Sequence, residues 1–296
     1  MTPSAVKQAP AQTGSTLTIK ALSANTGAEC TGADLTKLKD GEWEKLLEAY
    51  HRHSLLVVRG QKLPKVDQIA FSLRFGELEM PIRKDYVGKD FAALHVVSNI
   101  GVDGKPNNTK GLENPGNFFW HTDASYMKRP ASTTLLYAIE IPAVGGDTNF
   151  ANMHTAYDAL PDETRMRIAS LRAIHSWEQS RHNSGSRPAS EEEKLRAPDV
   201  AHPLVRTHPD TGRKGLYLGN HTSHIEGMAV DEGKALLQQL LQHATQPQFV
   251  YRHRWQVGDI VVWDNRSLLH KASDDFDMNN SARVLHRTVV QGTVPE

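Results

Sequence analysis

The stretch Phe118-Phe119-Trp120-His121-Thr122-Asp123 places an imidazole and a carboxylate two residues apart, directly after three aromatic side chains. In an extended strand, residues i and i+2 project from the same face, so His121 and Asp123 are expected to point the same way. The pair supplies two metal ligands. A histidine from elsewhere in the chain would complete a two-histidine, one-carboxylate site, a ligand set that suits non-haem Fe(II) and leaves coordination positions open.

The spacing alone does not single out this stretch, because the chain has fifteen histidines and a His-x-acid pattern occurs three times. One copy lies in Thr207-His208-Pro209-Asp210-Thr211-Gly212, where turn-forming residues predict a solvated turn. Another copy, at 224 and 226, has no recognisable partner pattern. Only His121 and Asp123 follow an apolar approach and precede a long β-like run. A structural histidine near an acid is the alternative interpretation of this pair.

Length, charge and cysteine content limit the class of protein. A chain of 296 residues fits one large domain or two small ones. The 34 basic and 34 acidic residues balance, which argues against a nucleic-acid or membrane-surface protein. The single cysteine, Cys30, excludes an intrachain disulfide framework and a cysteine-rich zinc module.

The first residues are polar and small, without the apolar run of a secretory signal. We therefore expect a disordered tail over 1–16 and one domain over 17–296. The sequence contains no run of about 18 apolar residues, so it predicts no membrane-spanning helix. These features predict a cytoplasmic protein whose partners include neither a membrane nor a nucleic acid.

Periodicity predicts many short strands and few helices. Helical patterns cover 42–51, 66–75 and 231–244, with two shorter helices at about 152–159 and 162–171. Two polar segments, 101–117 and 178–199, are predicted to be loops that cover a site. This pattern is typical of a mainly β protein with flanking helices, built as a barrel or sandwich that can hold a ligand inside.

The stretch Trp263-Asp264-Asn265-Arg266-Ser267-Leu268-Leu269-His270 follows an apolar strand and supplies the remote histidine. A core histidine with satisfied hydrogen bonds is the alternative interpretation of His270. Arg283 and Arg287 follow, four residues apart, so both can lie on one face of a strand. Arginine binds carboxylates in a planar, bidentate way. A pair of edge arginines in salt bridges would also explain them.

The combination is more specific than any of its parts: His-x-Asp, a histidine about 150 residues later, and two arginines within the next 20 residues. With these residues the chain resembles the Fe(II)/2-oxoglutarate-dependent dioxygenases of the taurine dioxygenase/TfdA group, over roughly 17–294. Further matching segments are Val58-Arg59-Gly60-Gln61, Gly145-Gly146-Asp147-Thr148, Tyr251-Arg252-His253-Arg254-Trp255 and Arg283-x-Leu285-x-Arg287-Thr288.

The resemblance implies a double-stranded β-helix, or jelly-roll, core, and an enzyme that uses Fe(II), 2-oxoglutarate and O₂. It implies roles for eight residues: His121, Asp123 and His270 as iron ligands, Thr148 and Arg283 on the distal carboxylate of 2-oxoglutarate, Arg287 on the acidic group of the substrate, and Asn117 and Ser125 at pocket positions. Homo-oligomers are usual in this group.

The segment after Phe75-Gly76 bears on the substrate. It lacks the histidine of the taurine enzymes, whereas Lys84 matches a lysine of the phenoxyacetate enzymes proposed to bind the substrate carboxylate. An ordinary solvated loop lysine is the alternative. The expected substrate is a small organic anion such as an aryloxyalkanoate, whose hydroxylation cleaves the ether. A sulfonate or alkyl sulfate ester is the alternative within the family.

Two further classes share part of this pattern. A zinc hydrolase could use two histidines and an aspartate, but it would not need Thr148 or Arg283. A non-catalytic jelly-roll binding protein would be expected to lack the three ligands.

Overall fold

The computed structural model describes residues 17–80 and 91–296. The expected tail at 1–16 and the candidate Lys84 lie outside this range. The strands are β1 Thr18–Ala21, β2 Ala28–Thr31, β3 Leu55–Val58, β4 His95–Ser98, β5 Ala131–Glu140, β6 Thr148–Asn152, β7 Arg172–His175, β8 Val200–Pro203, β9 Val205–Thr207, β10 Lys214–Leu216, β11 Thr222–Ile225, β12 Val250–His253, β13 Ile260–Asp264, β14 Leu268–Ala272 and β15 Val284–Gln291.

The α-helices are α1 Asp40–His53, α2 Lys65–Leu73, α3 Asn108–Gly111, α4 Met153–Asp158, α5 Asp162–Ile168, α6 Trp177–Asn183, α7 Glu191–Arg196 and α8 Val230–Ala244. Short 3₁₀ helices span Leu35–Lys37, Pro115–Phe118 and Pro247–Phe249. Among the described residues, no helix combines the length and the apolar character that crossing a membrane requires.

Seven strands form the large sheet, in the order β1-β2-β3-β13-β5-β15-β4. All its neighbours pair antiparallel except β2 and β3, which run parallel. A smaller sheet has the order β12-β6-β14, and further sheets join β11-β7-β8 and β9-β10. The architecture is therefore mixed α/β with several sheets.

The central strands of the large sheet are apolar on both faces, and alternation assigns their side chains to two cores. Leu55 and Val57 of β3 pack with Trp263 on one face, while Leu56 and Val58 pack beneath α1 and α2 on the other. Because strand side chains alternate with period two, a continuous apolar run can serve both cores.

The core between the two main sheets positions the remote histidine. Phe150 of β6 and Leu268 of β14 pack with Trp263, with ring centroids of Phe150 and Trp263 5.4 Å apart. β14, the strand that contains His270, was not predicted from the sequence. The smaller sheet thus presents His270 towards the large sheet.

The helices predicted at 42–51, 66–75 and 231–244 are confirmed as α1, α2 and α8. The prediction of a continuous loop at 178–199 is wrong, because α6 and α7 lie there. Ser176 and Ser190 cap these helices, and Ser190 forms a capping box with Glu193. Such caps stabilise short helices in polar sequence.

The turn before β6 gives a prediction about stability. Gly145 has φ of +75°, and a Cβ there would lie 2.1 Å from the carbonyl oxygen of Asp275. Gly185 has φ of +65° with nothing within 4 Å, so it is a matched control. Gly185→Ala should lower the free energy of unfolding by about 1 kcal/mol through backbone strain.

Gly145→Ala adds a backbone clash to that strain and should cost at least about 2 kcal/mol more than Gly185→Ala. Urea denaturation of the two variants measures the difference. Equal losses would show that the close approach to Asp275 is absent.

Candidate metal centre and active site

Two backbone hydrogen bonds join the segments that carry the two candidate histidines. The amide of His270 donates to the carbonyl of His121 at 2.8 Å, and the reverse bond is 3.1 Å. This isolated bridge replaces the extended strand that the sequence predicted for 121–123, since Asp123 already begins a turn. Ala124 in that turn has φ of +53°. The two ligands therefore converge through a bridge and a turn.

Asn265 fixes the carboxylate of this turn. Its Oδ1 accepts from the amide of Asp123 at 3.1 Å and from Trp263 Nε1 at 3.1 Å. Its Nδ2 donates to Thr134 Oγ1, which itself donates to Asp123 Oδ2 at 2.6 Å. Hydrogen bonds therefore hold the backbone and Oδ2 of Asp123. The other carboxylate oxygen, Oδ1, faces the two histidines.

The three candidate ligand atoms face one point. Asp123 Oδ1 lies 3.8 Å from the Nε2 atoms of both His121 and His270. One ligand atom from each residue lies within 4.8 Å of the others, and all three residues are buried. Atoms about 2.1 Å from a common ion can span such separations.

The protonation states favour metal binding. His121 Nδ1 lies 2.8 Å from the carbonyl oxygen of Phe119. A carbonyl only accepts, so Nδ1 carries the proton and Nε2 keeps its lone pair, as in most metal-binding histidines. Burial lowers the pKa of His121, and burial with the neighbouring His121 lowers the pKa of His270 well below its usual value. Both imidazoles are neutral.

Asp123 remains ionised although it is buried. Burial opposes its charge, but the cation Arg287 and the hydrogen bond from Thr134 outweigh that effect and hold the pKa of the carboxyl well below its usual range. Arg287 Nη2 contacts Asp123 Oδ1 at 2.7 Å. The residue expected to bind the substrate thus lies directly beside the metal ligands.

Arg283 and Thr148 line the same cavity as the candidate metal ligands. Arg283 Nε donates to the carbonyl of Gly146 at 2.9 Å. Within the described residues, the structure records no hydrogen bond from its Nη atoms. Thr148 Oγ1 accepts from Trp255 Nε1 at 3.0 Å. Burial lowers the pKa of Arg283 to about 10, so the side chain is a desolvated cation suited to an anionic ligand.

A cavity of about 210 Å³ joins these groups. His121, Asp123 and His270 line it together with Thr148, Arg283 and Arg287, and Asn117 lines it as well. Ser125 is not among the residues recorded as lining the cavity. Its hydroxyl bonds His221 Nδ1 at 3.0 Å, and His221 does line the cavity.

Among the described residues that line the cavity, four acidic or basic side chains were not predicted from the sequence: Glu79, His95, Arg181 and His221. Burial lowers the pKa of His221 to about 3, so its ring is neutral. The backbone amide of Asn220, the neighbour of His221, donates to the carbonyl of Trp120 at 2.8 Å. This bond joins the segment of His221 to the segment that carries His121. The sequence contains one indication of a role for His221: the segment 219–227, in which it lies, resembles the phenoxyacetate enzymes.

The second His-x-acid pattern has a structural role, and the prediction that it is solvated is wrong for His208. His208 is buried and its Nε2 lies 2.8 Å from Asp264 Oδ2, although Asp210 remains exposed. Arg266 binds the same aspartate. A buried carboxylate attracts nearby donors, and the sequence did not show that Asp264 lies there.

The donor set fits a divalent ion. Two neutral imidazoles and one ionised carboxylate form the two-histidine, one-carboxylate pattern of non-haem iron sites with open positions. The cavity beside them is lined by the buried Arg283 and the half-buried Arg287, which suits anionic ligands. The geometry can therefore hold a metal ion and small acids in contact with each other.

Comparisons with known proteins agree with this geometry. A family model described as "Taurine catabolism dioxygenase TauD, TfdA family" matches residues 18–289. A 2,4-dichlorophenoxyacetate dioxygenase of Burkholderia sp. (strain RASC) is 45% identical over 224 residues, covering 74% of this chain and 75% of that relative. An (S)-phenoxypropionate/alpha-ketoglutarate-dioxygenase of Sphingobium herbicidovorans is 37% identical over 282 residues, 92% of this chain and 94% of that protein.

Solved structures share the fold. The crystal structure of AAD-2 in complex with Mn(II) and N-oxalylglycine has a TM-score of 0.85 and 40% sequence identity, covering 95% of this chain and 98% of that chain.

The lowered histidine pKa values predict how metal binding responds to pH. Neutral imidazole binds the metal, so protons compete only when the pH falls below the pKa. Because burial lowers the pKa of both His121 and His270, Mn(II) affinity should change less than about threefold from pH 7.5 to 6.0. Two histidines of ordinary pKa would lose about tenfold over that range. Titration calorimetry at both pH values decides between these outcomes.

Proposed function

The chain belongs to the TauD/TfdA family of Fe(II)- and 2-oxoglutarate-dependent dioxygenases, and from this premise we propose that it hydroxylates an aryloxyalkanoate-like carboxylate, with cleavage of the ether bond. One observation carries the proposal: a single cavity is lined by the convergent His121, Asp123 and His270 together with the arginines Arg283 and Arg287. A hydrolytic zinc site would not require these arginines.

In this proposal His121, Asp123 and His270 bind Fe(II). The bridge between the two histidine backbones supports this role, since it holds the backbones of both histidines together before any ion arrives. When bound, the iron and 2-oxoglutarate supply the oxidising power that inserts an oxygen atom from O₂ into a substrate C–H bond. The protein keeps its three ligands deprotonated and shielded from water.

Arg283 and Thr148 bind the distal carboxylate of 2-oxoglutarate. The bond from Arg283 Nε to the Gly146 carbonyl directs the guanidinium, and its Nη atoms are available for a bidentate pair. Desolvation strengthens this pairing, because a buried cation without an anion is unfavourable. This pair therefore sets the orientation of the oxo acid relative to the metal ligands.

Arg287 binds the acidic group of the substrate. It lies in β15 four residues beyond Arg283, and it lines the same cavity beside Asp123. The phenoxyalkanoate-related names of the similar proteins support a carboxylate substrate. Asn117 contributes to the wall, and Ser125 acts by orienting His221. Lys84 binds the substrate carboxylate, as its match to the phenoxyacetate enzymes implies.

We also propose that the large sheet and the β12-β6-β14 sheet form the two halves of a jelly roll within one domain over 17–296. The shared core of Leu55, Phe150, Trp263 and Leu268 supports this arrangement.

A substrate panel tests the function. The purified enzyme, supplied with Fe(II), ascorbate, 2-oxoglutarate and O₂, should release succinate and a phenol from 4-chlorophenoxyacetate. Alkyl sulfonates and sulfate esters, the alternative substrates, should react more slowly. Because Arg287 repels cations, a choline ether of the same phenol should give no turnover above the substrate-free rate.

Arg287→Gln should raise the KM for the aryloxyacetate at least about a hundredfold, since it removes the charged partner of the substrate carboxylate. Turnover confined to the cationic ether would refute the anion proposal. Hydrolysis supported by zinc without an oxo acid would refute the dioxygenase proposal.

A further inference from the structure

Glu79 is a cavity residue that none of the proposed roles uses. Its segment pairs with the end of β15, because the amide of Glu79 donates to the Val289 carbonyl and that of Gln291 to the Glu77 carbonyl, both at 2.8 Å. This register holds Glu79 beside the strand that carries Arg287. Both side chains line the cavity of the metal ligands.

The carboxylate of Glu79 is poorly satisfied. Its Oε2 is buried and, among the described residues, has no hydrogen-bond partner. A buried acceptor without a partner costs about 1–3 kcal/mol. Burial raises the pKa of Glu79 to about 7, while Arg287 lowers it and Asp123 raises it. Arg287 is thus the cation that offsets this charge.

Arg287 forms an ion pair with one acid and lies within the electrostatic influence of a second. Its Nη2 contacts Asp123 Oδ1, the same oxygen that faces His121 and His270. A divalent ion on that oxygen repels the guanidinium, which weakens the contact. Glu79 is then the other carboxylate whose charge acts on Arg287. An acidic substrate that reaches Arg287 meets a cation that already has a competing anion.

We propose that Glu79 determines substrate specificity by competing with the acidic group of the substrate for Arg287. This inference rests on the proposed function, in which Arg287 binds that group. Glu79 lowers the affinity of the site for anions and disfavours a second negative charge on the substrate. The substrate class that fits Arg287 is therefore a monoanion. Dianionic acids are expected to bind at Arg283 instead.

The test measures the charge selectivity of binding. Protein loaded with Mn(II) and 2-oxoglutarate under argon is titrated calorimetrically with 4-chlorophenoxyacetate and with its neutral amide. Glu79→Gln should lower the Kd for the acid about tenfold and leave the Kd for the amide within about twofold. Glu77→Gln is the matched control: it removes an exposed carboxylate from the same segment and should change neither constant.

Glu79→Met, a second neutral variant of similar volume, should shift the acid constant in the same direction if Glu79→Gln fails to fold. Equal constants for the acid in the wild-type and neutral proteins would overturn this inference and leave the proposed function standing. If neither protein binds the acid while both bind Mn(II) and 2-oxoglutarate, the proposed substrate class falls and this inference falls with it.

Discussion

The backbone bridge between His121 and His270 is the constraint on which the site depends. It joins a turn after the aromatic stretch to a strand of the smaller sheet. Leu268, two residues before His270, is buried in the core between the two sheets, and Trp120 beside His121 packs against a core cluster that includes Leu269. The packing energy of these cores therefore holds two ligands at a fixed separation, and the metal ion need not order the chain.

The third ligand depends on a chain of polar contacts. Asn265 holds the backbone of Asp123, and Thr134 holds one carboxylate oxygen. These bonds leave the other oxygen facing the imidazoles. Buried ions require such partners, because an unsatisfied charge in the interior is costly. The cavity wall also carries the cations of the buried Arg283 and the half-buried Arg287. The acidic ligands of the proposed function complete this electrostatic arrangement.

Residue types and spacing predicted much of this site. His121, Asp123 and His270 converge as expected, and Thr148, Asn117, Arg283 and Arg287 line one cavity. The long helices followed from apolar periodicity, which packing respects. The local geometry could not be predicted in the same way. A turn and a bridge replace the expected strand because Asn265, distant in sequence, binds the amide of Asp123.

Other features depend on contacts that are distant in sequence. His208 is buried because Asp264 attracts its imidazole, a contact across 56 residues. Glu79 enters the cavity only because its segment pairs with β15. No local pattern marks Glu79, and the local pattern around His208 predicted a solvated turn. Ser125 is close to the motif in sequence, yet its hydroxyl is bonded to His221 and it is not recorded at the cavity wall.

The binding of one metal ion by His121, Asp123 and His270 is best tested by anomalous diffraction from crystals grown with Mn(II). The anomalous signal locates the ion independently of any assumed ligand. We expect one strong peak about 2.1 Å from His121 Nε2, Asp123 Oδ1 and His270 Nε2. A peak elsewhere in the molecule, or a His270 ring turned away from the ion, would contradict it.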